Sequence, residues 1–301
     1  MARCLISFGA NIGDPLQTIA WAADRLQAEL SSPSSSFLLS RFFKTPPVGG
    51  PSGQPPFINA VAAIDTSYNV WEVWQTIRSL EQELGRTRNQ RWEARAIDLD
   101  VLLFDDQRIW TPQFKVPHPR MCMRRFILLP AAEVASQWID PVTQMSIGQL
   151  AANVMQGPSN LCLVSDSPAI QSTAMLKSVA RQAMATWWSL ENDADDLTVL
   201  NKQRWVTWQS FPSDGTGLRG ILQTPSSKLT VWLTDPHSQP QNSAWEDCHL
   251  SAAQALNLVG PGESPMLRGP RYLLSGENLA WAQHELVAAM EAMDCPIEPI
   301  N

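Results

Sequence analysis

The stretch RNQRWEARAIDLDVLLFDD, residues 88–106, joins a polar segment rich in arginine to an apolar run that contains two carboxylates. Successive side chains of a strand point to opposite faces, so a strand here places Asp98 and Asp100 together on one face. Leu99 and Val101 then point into the core. A strand that served only to fill a core would not carry two acids on one face, which indicates a functional site.

The segments around this strand predict the fold of the first half of the chain. Strands are predicted at 3–8, 37–45, 57–66 and 96–106, helices at 14–30 and 69–85, and further helices at 123–135 and 146–155. Asp14 followed by Pro15 is a good helix start, and Gly85 is a good helix end. The order of strands and helices is typical of a ferredoxin-like α/β (α+β) sandwich, βαββαβ, with both helices on one face of the sheet.

The length of 301 residues predicts two domains. Pro and Ser are frequent at 157–173, and the charge changes there: residues 1–165 hold 14 basic and 14 acidic residues, whereas residues 166–301 hold 8 and 15. We therefore expect a first domain at 1–165 and a second, accessory α+β domain of unknown function at 166–301. In this second part, helices are predicted at 174–191, 243–256 and 277–293, with β-like runs between them.

Composition limits the class of protein. With 44% hydrophobic and 17% charged residues the chain is typical of a globular protein with a core. The start of the chain reaches a Gly-Asn-Gly turn too early for a signal peptide, and the five cysteines form no CxxC pair. We therefore expect a cytoplasmic protein. The net charge of −7 argues against nucleic acid and membrane partners, so an anion site must be a local cluster of cations.

The residues near Asp98 and Asp100 indicate a metal and phosphate site. Two adjacent carboxylates repel each other unless a cation compensates, and Mg²⁺ prefers carboxylate and phosphate oxygens. The alternative is a solvated strand face that merely carries two acids. Arg86, Arg88, Arg91 and Arg95 precede the strand, and VPHPRMCMRR at 116–125 adds a histidine and more cations. Guanidinium groups match phosphate oxygens, so the cluster indicates a nucleoside triphosphate site without a P-loop.

Several blocks of the sequence resemble one known family. RTRNQRWEARAIDLDVLLFDD and VPHPRMCMRRFILLP are similar to the two signature blocks of the 6-hydroxymethyl-7,8-dihydropterin pyrophosphokinases. ISFGANIGDP, FKTPPVGGPSGQPPFINAV and LEQELGR follow the order and spacing of that family, so the resemblance covers roughly residues 3–160. It implies transfer of the β,γ-diphosphate of ATP to the pterin hydroxymethyl group with release of AMP, as a step of folate biosynthesis. It also implies two Mg²⁺ ions.

The resemblance also implies a role for individual residues. It implies that Asp98 and Asp100 hold the metal ions. The implied pterin site comprises Thr45, Val48, Phe57, Asn59 and Phe126, with Asn59 bonding the ring edge and the two phenylalanines stacking on its faces. The implied ATP contacts are Glu81, Val101, Lys115, His118 and Arg124. The implied catalytic loop, which closes over ATP, contains Arg86, Arg88, Arg91, Trp92 and Arg95.

Two other interpretations remain open at this point. A ferredoxin-like sheet with aromatic and arginine side chains also occurs in RNA-binding modules, although paired aspartates would repel a phosphate unless metal is bound. Residues 166–301 resemble no family that we can name. For that part we expect a regulatory role or an oligomerisation role that builds a homo-oligomer. Its polar groups, such as Asp235, His237, Asp247 and His249, have no firm metal-ligand spacing.

Overall fold

The computed structural model describes residues 1–32, 35–85, 96–165, 173–188, 202–210, 227–234 and 270–300. The strands are β1 (Ala2–Ala10), β2 (Phe37–Leu39), β3 (Phe42–Thr45), β4 (Phe57–Thr66), β5 (Asp98–Phe104), β6 (Ile109–Trp110), β7 (Lys115–Val116), β8 (Ile139–Asp140), β9 (Met145–Ser146), β10 (Asn160–Ser165), β11 (Thr186–Trp187), β12 (Trp205–Ser210), β13 (Leu229–Thr234), β14 (Arg271–Ser275) and β15 (Glu298–Ile300). The helices are α1 (Pro15–Leu30), α2 (Val70–Glu83), α3 (Arg125–Ala135), α4 (Ile147–Met155), α5 (Thr173–Gln182) and α6 (Leu279–Asp294).

The first sheet is antiparallel and has six strands in the order β15-β3-β4-β1-β5, with β2 also paired to β4. The helices and strands predicted for residues 1–155 are confirmed in type and order, although two strands differ in extent and the short pairs β6-β7 and β8-β9 were not predicted. The predicted strand at 37–45 is broken into β2 and β3, because Ser40 turns its hydroxyl to the backbone of Arg41 and accepts a bond from the Val61 N–H. Strand β1 also continues through Gly9, where the prediction ended it.

The ends of helices α1 and α2 follow the predicted signals. The Asp14 side chain caps α1 by accepting from the Gln17 N–H, and Pro15 occupies the first turn. Asn69 and Glu72 form a reciprocal capping box at the start of α2. Gly85, just beyond α2, has a φ of +76°, which glycine adopts without strain.

The two faces of the first sheet are covered differently. Alternate residues of β1 and β4, such as Ile6 and Ala62, pack against α1 and α2 in one hydrophobic cluster. The other alternate residues, such as Leu5 and Val61, belong to a second cluster, which continues into α3 and α4. Asp98 and Asp100 lie on this second face, since Leu99 and Val101 belong to the first cluster.

Among the described residues, the second sheet contains five strands, all parallel, in the order β11-β12-β10-β13-β14. This corrects the expected α+β arrangement of the second half, because parallel strands need crossover connections and α5 is one of them. Strand β10 lies in the middle of the sheet, although the predicted boundary at residue 165 assigned it to the first domain. Its run LCLV is buried, as is usual for a strand covered on both faces. The division of the chain into two domains stays a prediction.

Helix α5 is shorter than predicted. It ends at Gln182 rather than near residue 191, the backbone takes a positive φ of 51° at Met184, and the chain then enters β11. The predicted helix at 243–256 and the predicted run at 217–224 lie outside the described residues.

One hydrophobic cluster connects the two sheets. It contains Leu5 of β1, Leu128 of α3, Val206 of β12, Leu229 of β13 and Leu286 of α6. Strand β15, which was not predicted, then joins the first sheet by pairing Ile300 with Phe42. The end of the chain is therefore built into the first half. No helix in the described part of the chain is long and apolar enough to cross a membrane.

Candidate functional site

A cavity of about 370 Å³ opens beside β5, at the strand that carries the acidic pair. It lies within the size range of small-molecule sites. Five residues predicted to bind metal or nucleotide line it: Glu81, Asp100, Val101, Lys115 and His118. They come from α2, β5, β7 and the loop after β7, so the fold brings together residues that are distant in sequence.

The acidic pair is arranged as strand alternation predicts. Asp98 pairs with Gly9 and Asp100 with Ser7 on the neighbouring strand β1. The Asp100 side chain is 39% exposed, whereas Leu99 and Val101 are each 4% exposed. Two partly exposed carboxylates on one face fit Mg²⁺, a hard cation that is usually held by one or two carboxylates together with substrate phosphates and water.

His118 faces the acidic pair from the loop after β7. Its Nε2 is 3.7 Å from Asp100 Oδ2, and its Nδ1 accepts a hydrogen bond from the Arg120 N–H at 3.2 Å. Burial, together with the charges of Arg124 and Arg120, holds the pKa of His118 well below its usual value. The ring is therefore neutral at pH 7, and with Nδ1 accepting, the proton lies on Nε2. This tautomer can donate to an anionic oxygen near Asp100.

Arg124 and Glu81 are two further residues predicted to contact ATP. Arg124 lies just before α3, and burial lowers its pKa to about 10, with repulsion from Arg120 added and attraction to Asp100 opposing. It stays charged at pH 7. Glu81 is 4% exposed, and its Oε1 accepts from the Leu99 N–H at 2.9 Å, which ties α2 to β5 beside the acids.

Aromatic side chains, among them Trp74, Trp110 and Phe114, also line the cavity. Lys115 places its Nζ 4.4 Å from the ring centre of Trp110. Phe114 packs against Trp74 with ring centres 5.2 Å apart. Val101 is buried and lines the same cavity. The cavity thus combines charged groups such as Asp100 with aromatic rings, which suits a ligand with an anionic part and a heteroaromatic part.

Three residues predicted for the pterin, Thr45, Phe57 and Asn59, lie on the face of the first sheet that carries Asp98. Asn59 is 7% exposed, and its Nδ2 donates to Thr45 Oγ1 at 2.9 Å. Phe57 begins β4 and Phe126 lies in the first turn of α3, and both are partly buried. Val48 is partly buried in the loop between β3 and β4.

Other predicted residues lie outside the described part of the chain. These are the catalytic-loop residues Arg86, Arg88, Arg91, Trp92 and Arg95, and the polar residues Asp235, His237, Asp247 and His249. The catalytic-loop roles stay predictions, and no metal site was predicted at the four polar residues.

Residues from the end of the chain also line the cavity, and sequence reasoning missed them. Tyr272 of β14 and Trp281 of α6 are the main ones, and Arg120 connects them to the loop after β7. Arg120 lies within the quoted block VPHPRMCMRR, yet its partner Glu285 is 165 positions away. No local pattern in the sequence signals such a pair.

Comparison with known proteins identifies close relatives of the first half. The family model described as 7,8-dihydro-6-hydroxymethylpterin-pyrophosphokinase matches residues 5–136. A 2-amino-4-hydroxy-6-hydroxymethyldihydropteridine pyrophosphokinase from Bacillus subtilis (strain 168) is 36% identical over 156 residues, which are 52% of this chain and 92% of that protein. Proteins of the same name from Pseudomonas aeruginosa and Haemophilus influenzae are 36% and 33% identical over 44% and 48% of this chain, and the matches cover 80% and 89% of their lengths.

Among solved structures, an HPPK-DHPS of Plasmodium falciparum aligns with 95% of this chain and 82% of its own. The sequence identity is 11% and the TM-score is 0.39, which is too low to support an argument about fold or function.

Proposed function

This chain belongs to the 7,8-dihydro-6-hydroxymethylpterin-pyrophosphokinase family, and from this premise we propose how its residues carry out the reaction. The protein is an enzyme of folate biosynthesis that transfers a pyrophosphoryl group from ATP to the hydroxymethyl group of the pterin. Such a transfer depends mainly on positioning the two substrates and neutralising phosphate charge. The contacts around the cavity indicate which residues do each.

A single cavity lined by Asp100, Val101, Lys115 and His118 is the observation that carries the proposal. ATP binds there with its phosphates toward Asp100 and His118 and its adenine toward the aromatic side chains of Trp110 and Phe114. The neutral His118 ring donates a hydrogen bond from its Nε2–H to a phosphate oxygen. Arg124 adds a fixed positive charge close by. Lys115 and Glu81 line the same cavity and contact the nucleotide.

Asp98 and Asp100 would hold a pair of Mg²⁺ ions. The two carboxylates share one strand face, and oxygen ligands of this kind are those that Mg²⁺ prefers. When bound, the metal ions neutralise the charge of the phosphates and so favour attack by the pterin hydroxyl. The predicted arginine loop, from Arg86 to Arg95, would close over the phosphates and exclude water.

The pterin binds on the neighbouring part of the sheet. Asn59 meets the ring edge with its amide, which Thr45 orients through the 2.9 Å bond. Phe57 and Phe126 stack on the two ring faces, and the backbone near Val48 meets the other edge. A flat heteroaromatic ring with donors and acceptors on its edge suits this combination of rings and an amide.

Three broader assignments accompany this function. The strand order and the helices α1 and α2 on one face support a ferredoxin-like class for the first sheet. The cysteines of the described chain, Cys4, Cys122, Cys162 and Cys295, are free thiols, which supports the predicted reducing, cytoplasmic location. ATP and the pterin are the proposed partners; oligomerisation through residues 166–301 stays a prediction.

The reaction itself tests the proposal. The full-length protein with ATP, Mg²⁺ and 6-hydroxymethyl-7,8-dihydropterin should release AMP, and omitting the pterin or adding a chelator should stop the release. Equal AMP release without the pterin would indicate hydrolysis instead of transfer. No AMP from the complete mixture would overturn the assignment.

A further inference from the structure

The end of the chain forms one wall of the cavity described above. Tyr272, Leu273 and Ser275 of β14, together with Trp281 of α6, line the cavity that β5 also lines. The match to the family model ends at residue 136, so these residues lie beyond it. Trp74 and Trp110 line the same cavity.

Glu285 connects this wall to the loop that carries His118. The Glu285 side chain is 1% exposed and accepts two bonds from Arg120, from Nε at 2.9 Å and Nη2 at 3.0 Å. The Tyr272 hydroxyl donates to the same carboxylate at 2.8 Å. Burial alone would lower the pKa of Arg120, but Tyr272 and Glu285 outweigh it and raise the pKa. The two bonds to Glu285 fix the position of the guanidinium.

Arg120 passes this constraint on to His118. The Arg120 N–H donates to His118 Nδ1, and this bond selects the tautomer that has its proton on Nε2. This N–H belongs to the backbone, so a residue that holds the Arg120 side chain acts on His118 by limiting the movement of the loop that carries both residues. Glu285, 165 positions away in sequence, is such a residue.

Helix α6 is anchored at its far end as well. Asp294, its last residue, accepts from the Ser159 hydroxyl and from Arg204 Nε, both at 2.6 Å. The following segment contacts the loop after β3 through Cys295 and Pro46, and β15 then pairs with β3. Helix α6 is therefore held at Glu285 and at Asp294, and a helix held in this way can serve as a rigid wall of a binding site.

We propose that β14 and α6 complete the ATP site of this enzyme: Trp281 covers the adenosine end of the cavity, and Glu285 is a positioning residue that holds Arg120 and, through it, His118. This inference rests on the proposed function, because it assigns the cavity to ATP. It gives residues 270–294 a role in nucleotide binding instead of an accessory role.

The test compares the KM for ATP with the KM for the pterin in full-length variants. Trp281→Ala removes the ring from the cavity wall and is expected to raise the KM for ATP about tenfold, equivalent to ~1.4 kcal/mol, and to leave the KM for the pterin unchanged. Trp281→Phe, which keeps a flat ring, should restore most of the loss. Leu279→Ala is the matched control, because Leu279 is exposed, lies two positions earlier on the same helix and does not line the cavity.

Glu285→Gln tests the positioning role. It should raise the KM for ATP and lower kcat, because Arg120 loses its charged partner and His118 loses its orientation. Asp294→Asn, which changes a partly buried carboxylate of α6 that does not line the cavity, should lower the melting temperature without this selective effect. If Glu285→Gln does not fold, the Trp281 variants still decide the case.

The outcomes separate the two proposals. A wild-type protein that releases no AMP would refute the proposed function. An active wild type with an unchanged KM for ATP in Trp281→Ala would refute only the inference about α6, as would an equal rise in both KM values.

Discussion

Asn59 and Asp98 lie two strands apart, and both pair in register with the same residue of the strand between them, Gly9. One belongs to the proposed pterin site and the other to the proposed metal site. Because Gly9 has no side chain, the space between the Asn59 amide and the Asp98 carboxylate stays open on this face of the sheet. The site therefore depends on the absence of a side chain as well as on the residues that contact ligands.

The open space above Gly9 predicts that larger side chains at this position reduce activity more strongly. The Cβ of Gly9→Ala would lie 3.5 Å from Asn59 Oδ1 and 4.0 Å from Asp98 Cβ, which are ordinary contacts. We expect this variant to fold and to work almost as well as the wild type. Gly9→Val adds methyl groups to the same gap, costs about 1–3 kcal/mol through overpacking, and should strongly raise the KM for the pterin. Equal kinetics for Gly9→Val and the wild type would show that the space between Asn59 and Asp98 is not part of the site.

Asp98→Asn is expected to abolish turnover while the fold stays intact. The amide is similar in size to the carboxylate but is a poor ligand for Mg²⁺, so the loss of transition-state stabilisation is on the order of several kcal/mol. AMP release measures the effect, and circular dichroism checks the fold.

Asp105→Asn is the matched control for this variant. Asp105 follows the same strand, bonds to the exposed Arg3 and has a φ of +46°, which asparagine also tolerates. This control should keep its activity. Near-normal AMP release by Asp98→Asn would contradict the metal-binding role of Asp98.

Thr45→Val should weaken pterin binding by loosening the Asn59 amide. Valine keeps the shape of threonine but removes the oxygen that accepts from Asn59 Nδ2 at 2.9 Å. A lost hydrogen bond of this kind costs ~1 kcal/mol, or about a fivefold rise in the KM for the pterin, with the KM for ATP unchanged. Thr66→Val also removes a buried hydroxyl, bonded to the Leu30 carbonyl, and should lower stability without changing either KM.

Much of the first half could be predicted because its signals are local. The cap at Asp14, the alternation around Asp98 and the glycine at 85 each act within a few residues, and the structure contains each of them. The register of β4 and β5 against β1, which puts Asn59 and Asp98 on one face, is known only from the structure. Local chemistry therefore determines the elements and the face that Asp98 and Asp100 share.

The second half could not be predicted to the same depth because its determinants are distant pairings. Strand β10 has an apolar run whose partners, β12 and β13, lie far along the chain, so its parallel position had no local signal. Strand β15 is three residues long and contains Pro299, a residue that favours strand edges. The bond between Arg120 and Glu285 joins two such distant segments, so one wall of the cavity was missed.

Lys228 should make the stability of the protein depend on pH in the alkaline range. Its Nζ donates to the carbonyls of Gly157 at 2.7 Å and Val154 at 3.4 Å, and the residue is 7% exposed. Burial lowers its pKa to about 8, with repulsion from Arg125 added and attraction to Asp294 opposing. In the unfolded chain the pKa of a lysine is about 10.4. Between these two values the unfolded state binds more protons than the folded state.

Stability linked to Lys228 therefore rises as the pH increases from about 8 towards the unfolded pKa, and it is constant below that window. Lys228→Met removes this dependence. Buried thiols such as Cys4, whose pKa is raised by burial, lower the stability of both proteins above pH 9, but they cancel in the difference. Urea unfolding of both proteins from pH 7 to 10.5 measures the difference in the free energy of unfolding. The wild type should gain stability relative to Lys228→Met as the pH rises. A difference in the free energy of unfolding that is independent of pH would contradict the lowered pKa of Lys228.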